Sequence, residues 1–159
     1  SDGAWSKLVE LLTPVVELAK KSDIMLVVET GNNAMITSCF LGRKLIDDLN
    51  TKHLKVLWDP ANALYCGENP SKNALDSMEG GYLGHVHMKD VEVAIHQAKI
   101  KCVALGEGQM SPHLQTIADR LNDIGYDGSM SLESVYRPSE GDFEDGFNAS
   151  ITKFKNLYS

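Results

Sequence analysis

Apolar and polar positions along the chain switch between two periods. Over residues 5–20, Leu8, Leu11, Leu12, Val15, Val16 and Ala19 recur at helical spacing and lysines close the stretch, predicting a helix with a mild kink at Pro14. The β-branched run 24–29 predicts a first strand. A helix over 37–49 and a second strand over 54–59, ended by Pro60, follow. The third unit predicts a helical stretch over 71–78, closed by Gly80-Gly81, and a strand over 82–88. Residues 93–105 have an extended but mixed pattern, a small hairpin or a long loop. A helix over 111–124 stops at Gly125, a fourth strand covers 128–133, and a closing helix over 142–157 carries Phe147, Ile151, Phe154 and Leu157 on one face.

Three of these strands are nearly continuous hydrophobic runs, the pattern of strands buried on both faces. Helices between them supply right-handed crossovers. The fold class is therefore α/β with a parallel sheet, either doubly wound or part of a barrel. No glycine-rich phosphate loop follows a strand, so nothing supports nucleotide binding.

The 159 residues suit one domain, and 43% hydrophobic content excludes a disordered chain. A net charge of −7 supplies no basic field for nucleic acid or an anionic membrane. The apolar runs are strand-sized, and no basic stretch leads into an apolar segment at the N-terminus, so a cytoplasmic protein without signal peptide or membrane span is expected. Cys39, Cys66 and Cys102, odd in number and far apart, are expected to be reduced thiols.

The chemistry lies in where the polar residues fall. Glu29 ends the first predicted strand, Asp59 the second, His85 and His87 lie in the third, and Glu133 ends the fourth. Parallel α/β folds build their sites at this carboxyl edge. One such carboxylate could be a helix cap or ion-pair partner, but successive units repeating the pattern point to a shared site. Glu, Asp, His and Glu make an oxygen-rich set with one imidazole, suited to Mn²⁺, Mg²⁺, Co²⁺ or Zn²⁺. Strand alternation puts His85, His87 and Lys89 on one side, so one histidine can bind metal while Lys89 reaches a substrate.

Five motifs occur in order: Glu29-Thr30-Gly31-Asn32, Trp58-Asp59-Pro60-Ala61-Asn62-Ala63, His85-Val86-His87-Met88-Lys89-Asp90, Leu105-Gly106-Glu107-Gly108, and Gly125-Tyr126-Asp127-Gly128 through Leu132-Glu133. Together they resemble the second half of the xylose isomerase-like TIM barrels, the superfamily of sugar-phosphate isomerases and epimerases. The resemblance implies that Glu29, Asp59, His87 and Glu133 match the family's four metal ligands, His87 being chosen over His85 by its place before Lys89-Asp90. It further implies a divalent cation that stabilises an enediolate, with Glu29 and Glu133 moving a carbon-bound proton. Asn62, His85, Lys89, Glu107 and Arg137 are candidate substrate contacts, the substrate being a sugar or sugar phosphate.

Two departures from the family matter. Asn62 stands where several epimerases and endonuclease IV have histidine, and 100–104 lack the aspartate and histidines of the endonuclease's trinuclear zinc site. Abasic-site cleavage is therefore not expected. A (β/α)₈ barrel also needs about 200–250 residues, so residues 1–159 are expected to form a single domain lacking its N-terminal half. A homodimer or a complementary half-barrel would cover the open sheet edges. Beside the isomerase/epimerase reading stand a non-catalytic metal- or sugar-binding half-barrel and an inosose-type dehydratase.

Overall fold

A computed structural model of the chain describes residues 2–72, 74–133 and 135–158. Its central sheet is parallel throughout. The strands β1 (Leu26–Glu29), β2 (Leu54–Trp58), β3 (Leu83–Met88) and β6 (Ser129–Leu132) pair in that order, each alongside the next. Helices α1 (Asp2–Lys21), α2 (Cys39–Leu49), α3 (Pro60–Tyr65), α4 (Leu114–Asp123) and α5 (Phe143–Tyr158) accompany the strands. Between β3 and β6 the chain makes an antiparallel hairpin, β4 (Asp90–Ala94) with β5 (Lys99–Val103).

Side-chain alternation sorts the sheet into two faces. Val56 and Trp58 are fully buried toward the helices. A Cβ added at Gly42 of α2 would come within 2.6 Å of Val56 Cγ2, so glycine is what lets this helix lie close on the sheet. The other face carries Val27, Glu29, Lys55, Leu57, His85 and His87, none of them fully buried. In β3 the phase breaks once: Leu83 lies beside Val56 but His85 beside Leu57, leaving Gly84 as an extra residue. A Cβ at Gly84 would stand 2.7 Å from Lys55 Cβ. This bulge turns both His85 and His87 toward the inner face.

The sequence expectations hold for the four strands and for α1, α2, α4 and α5, with two corrections. The third-unit helix expected over 71–78 is instead split: α3 starts earlier, at Pro60, and only a 3₁₀ turn, Leu75–Met78, falls in the expected range. The cause is local, because Asp59 caps α3 and Pro60 opens it. The mixed segment is the hairpin of the two alternatives, starting at Asp90. Helix α1 runs through Pro14. Its Val16 and Ala19 are buried, whereas Leu11, Val15 and Leu18, spaced to share a face, are 46–65% exposed. The three cysteines are free thiols. Among the described residues no helix is long and apolar enough to cross a membrane.

Candidate metal and substrate site

The parallel register brings four polar side chains to one corner of the carboxyl edge. Glu29 is the last residue of β1, Asp59 follows β2, His87 is the penultimate residue of β3, and Glu133 follows β6. The Glu133 N–H donates to Met88 O at 2.9 Å, which carries the ladder one residue past β6. One potential ligand atom from each of Glu29, Asp59, His87 and Glu133 lies within 4.8 Å of the other three. Opposed ligands of a six-coordinate ion at about 2.1 Å stand about 4.2 Å apart, so small side-chain adjustments would close the set on a divalent cation. His87 Nδ1 is 3.5 Å from Glu29 Oε1 and 3.7 Å from Glu133 Oε2.

Asp59 is the most constrained member, with its side chain fully buried. Its Oδ1 accepts the Ala61 and Asn62 N–H groups, both at 3.0 Å, at the start of α3. Its own N–H donates to Thr30 Oγ1 at 2.9 Å, and Asn62 Nδ2 donates to Thr30 O at 3.1 Å. Asp59 Oδ2 is thereby left aimed into the cluster. Among the described residues, three buried side-chain polar atoms lack a hydrogen-bond partner, and two of them are Asp59 Oδ2 and His87 Nδ1. Buried polar atoms are rarely left so. A carboxylate oxygen and an imidazole nitrogen, neither of them hydrogen-bonded and both facing two further carboxylates, fit a metal ion in chemistry as well as in spacing.

Lys89 completes the electrostatics. Its Nζ donates to Glu133 Oε2 at 2.6 Å and touches Asp59 Oδ2 at 2.6 Å as an ion pair off hydrogen-bond alignment. Burial pushes the Asp59 carboxyl up to about 6 although Lys89 pulls the other way. For Glu133 burial also works upward, but the Lys89 hydrogen bond and charge outweigh it and the carboxyl ends below its ordinary value. One layer deeper, His85 bonds Ser131 Oγ through Nε2 at 2.6 Å and meets the His87 ring edge-on, centroids 5.2 Å apart. Burial, with His87 beside it, pushes its pKa down, favouring the neutral imidazole.

A family model described as the xylose isomerase-like TIM barrel matches residues 1–156. The chain belongs to this family. Among solved structures of similar fold, a xylose isomerase domain protein from Planctomyces limnophilus has 24% identity and a TM-score of 0.75, covering 96% of this chain and 51% of its own. The 3-keto-D-glucoside 4-epimerase YcjR from E. coli has 19% identity and a TM-score of 0.76, covering 98% and 54%. AsbF from Bacillus anthracis, described as the probable 3-DHS dehydratase of petrobactin synthesis, has 18% identity and a TM-score of 0.72, covering 96% and 58%. At these identities the likeness is one of fold. No curated protein matched the chain. The chain spans about half the length of the structures it matches, so its four βα units answer to about half of a xylose isomerase-like barrel.

Of the substrate contacts expected from the family resemblance, Asn62, His85 and Lys89 adjoin the cluster, and Glu107 and Arg137 do not join it. Glu107 is exposed in the turn after β5, and Arg137 donates from Nε to Gly141 O at 3.1 Å with its guanidinium 5.9 Å from the Phe143 ring centroid. Three supporting residues escaped the sequence reading. Thr30 locks β1 to Asp59, and its signal was only its place after Glu29. Asp90 holds the 106–110 loop by accepting the Gly106, Gly108 and Met110 N–H groups. Glu68 accepts the Cys39 N–H at the start of α2 with both oxygens, at 3.1 and 3.3 Å.

Glu68 carries a pH prediction. Burial pushes its carboxyl up to about 7, against the Cys39 N–H and the nearby Trp58 indole, which pull down. The folded state therefore binds a proton that the unfolded chain releases near 4.5. That contribution is fully present below about pH 4.5 and is lost as pH rises through about 7. Glu68→Gln is expected to flatten the fall in melting temperature between pH 5 and 8, read by thermal unfolding across buffers. An unchanged slope would place the titration elsewhere.

Proposed function

We propose that this chain carries the metal-binding half of a sugar or sugar-phosphate isomerase or epimerase of the xylose isomerase-like family. The observation that supports it most is the convergence of Glu29, Asp59, His87 and Glu133, with Asp59 Oδ2 and His87 Nδ1 lacking hydrogen-bond partners. In this reading these four residues hold a divalent cation, Mn²⁺, Mg²⁺, Co²⁺ or Zn²⁺. Such a cation supplies Lewis-acid polarisation of a substrate carbonyl.

The chain's own groups do the rest. Glu29 and Glu133, on the outer strands β1 and β6, flank the site from opposite sides, and one removes a proton from the carbon beside the carbonyl while the other returns it. The short Lys89 contact favours Glu133 in the ionised form a base needs. In this reading Asn62, His85 and Lys89, beside the cluster, take substrate oxygens, with Glu107 and Arg137 as candidate contacts from the loops after β5 and β6. The free edges of β1 and β6, with the exposed Leu11, Val15 and Leu18 of α1, support closure by four further strands from a second copy or a complementary half-barrel. A closed, water-poor pocket would need that closure. A cytoplasmic role belongs to the same reading, supported by the family setting.

Incubating the Mn²⁺-loaded protein with ketoses and ketose phosphates in D₂O tests the chemistry. Deuterium should enter at the carbon beside the carbonyl, and Glu133→Gln should slow it by about a hundredfold or more. Loss of water from the substrate without an epimer would favour a dehydratase, a reading supported by the likeness to AsbF. Bound Mn²⁺ with no exchange on any ketose would favour the non-catalytic half-barrel.

A further inference from the structure

The Lys89 ammonium pairs with two of the three carboxylates of the cluster. It lies 2.6 Å from Glu133 Oε2 and 2.6 Å from Asp59 Oδ2, with a side chain only 10% exposed. Asp59 has no second oxygen to offer, because Oδ1 is taken by two backbone N–H groups of α3 at 3.0 Å each. We infer that Lys89 is a built-in counter-cation: it holds the carboxylates together in the metal-free chain and competes with a divalent ion for Asp59 Oδ2. The inference rests on the metal-binding reading and adds to it.

A metal ion on Asp59 Oδ2 and an ammonium on the same oxygen would be two cations side by side in a poorly solvated corner, where their repulsion is strong. Both cannot stay. Without either, Glu29, Asp59 and Glu133 would face each other across His87 with their charges unopposed at this point. The flexible four-carbon stem of lysine lets the ammonium swing away when an ion enters, whereas Asp59, pinned by its cap, cannot follow it. The cluster is thus pre-assembled without metal, and part of the intrinsic ion affinity is offset by displacing Lys89.

The test compares wild-type protein with Lys89→Met, Lys89→Gln and Lys89→Arg. The paramagnetic resonance signal of free Mn²⁺ reports affinity, and thermal unfolding of the metal-free forms reports the structural role. Lys89→Met should bind Mn²⁺ roughly tenfold tighter than wild type, melt lower without metal, and recover on adding it. Lys89→Gln keeps a hydrogen-bond donor without charge and must tighten in the same way, which covers a methionine variant that fails to fold. Lys89→Arg, still cationic, should bind no tighter than wild type. Equal or weaker binding in the neutral variants overturns the inference while leaving the metal-binding reading intact, and tight binding by the arginine variant overturns it too. No Mn²⁺ binding by any form, wild type included, removes both.

Discussion

Asp59→Asn is expected to weaken Mn²⁺ binding severely while leaving the fold in place. The amide oxygen of asparagine can still accept the Ala61 and Asn62 N–H groups, now 3.0 Å from Oδ1, so the start of α3 stays capped. What changes is the other atom. An NH₂ group replaces Oδ2, offering no lone pair to a cation and presenting a donor to the Lys89 ammonium that now sits 2.6 Å away. Affinity for Mn²⁺ should fall on the order of a hundredfold or more, beyond the losses usual for groups that only support a ligand. Lys89 keeps Glu133, so the stability cost stays below that of orphaning a buried charge outright, up to about 3 kcal/mol. Asp59→Ala should lose the same affinity and about 1 kcal/mol more, the usual worth of a helix cap. Mn²⁺ titration and urea unfolding of the two variants separate ligation from capping. Wild-type affinity in Asp59→Asn would take Asp59 out of the ligand set.

This dual use of Asp59 marks how far the sequence carries. The parallel sheet is legible because strands covered on one face by helices and on the other by a barrel interior need few polar residues, and the runs at 24–29, 54–59 and 82–88 show that. Glu29, Asp59, His87 and Glu133 stand out for the same reason, since a polar residue ending an apolar strand has no packing role to explain it. The position of α3 was legible too: Asp59-Pro60 has the signature of a cap followed by a first-turn proline, but the proline also ends a strand, and the two readings compete. Beyond this point the determinants are tertiary. Alternation puts Lys89 on the side of His87, but nothing local says that its ammonium will bridge Asp59 and Glu133, residues 30 positions before and 44 after it. The Gly84 bulge depends on Lys55 and Val27 of neighbouring strands crowding the place of a side chain. Glu107 and Arg137 lie in the loops after β5 and β6, and charge alone does not aim a long side chain.

Asp90→Ala is expected to be strongly destabilising. Asp90 directly follows Lys89, is 1% exposed, and spends its whole carboxylate on backbone N–H groups. Oδ1 accepts from Val91 and Met110, both at 2.8 Å, and Oδ2 from Gly106 at 2.9 Å and Gly108 at 3.0 Å. The loop can come this close only because Gly108 lacks a side chain, since a Cβ there would stand 2.6 Å from Val91 O and collide with Asp90 Oδ1. Asp90→Ala strands four amide donors around a space too confined to hydrate freely. At about 1–3 kcal/mol for each buried unsatisfied group, offset by some opening of the loop, the net loss should be about 3–5 kcal/mol. Asp90→Asn keeps one acceptor and turns the other into a donor facing two donors, so it should fall between wild type and alanine. Urea unfolding gives the order. Amide exchange tests the cause: Gly106, Gly108 and Met110 should be protected in wild type and exchange quickly in Asp90→Ala, while Leu105, whose N–H bonds Ser150 Oγ at 3.1 Å, should change least. A loss below about 1 kcal/mol, with those amides still protected, would mean that the loop is held by packing and not by this carboxylate.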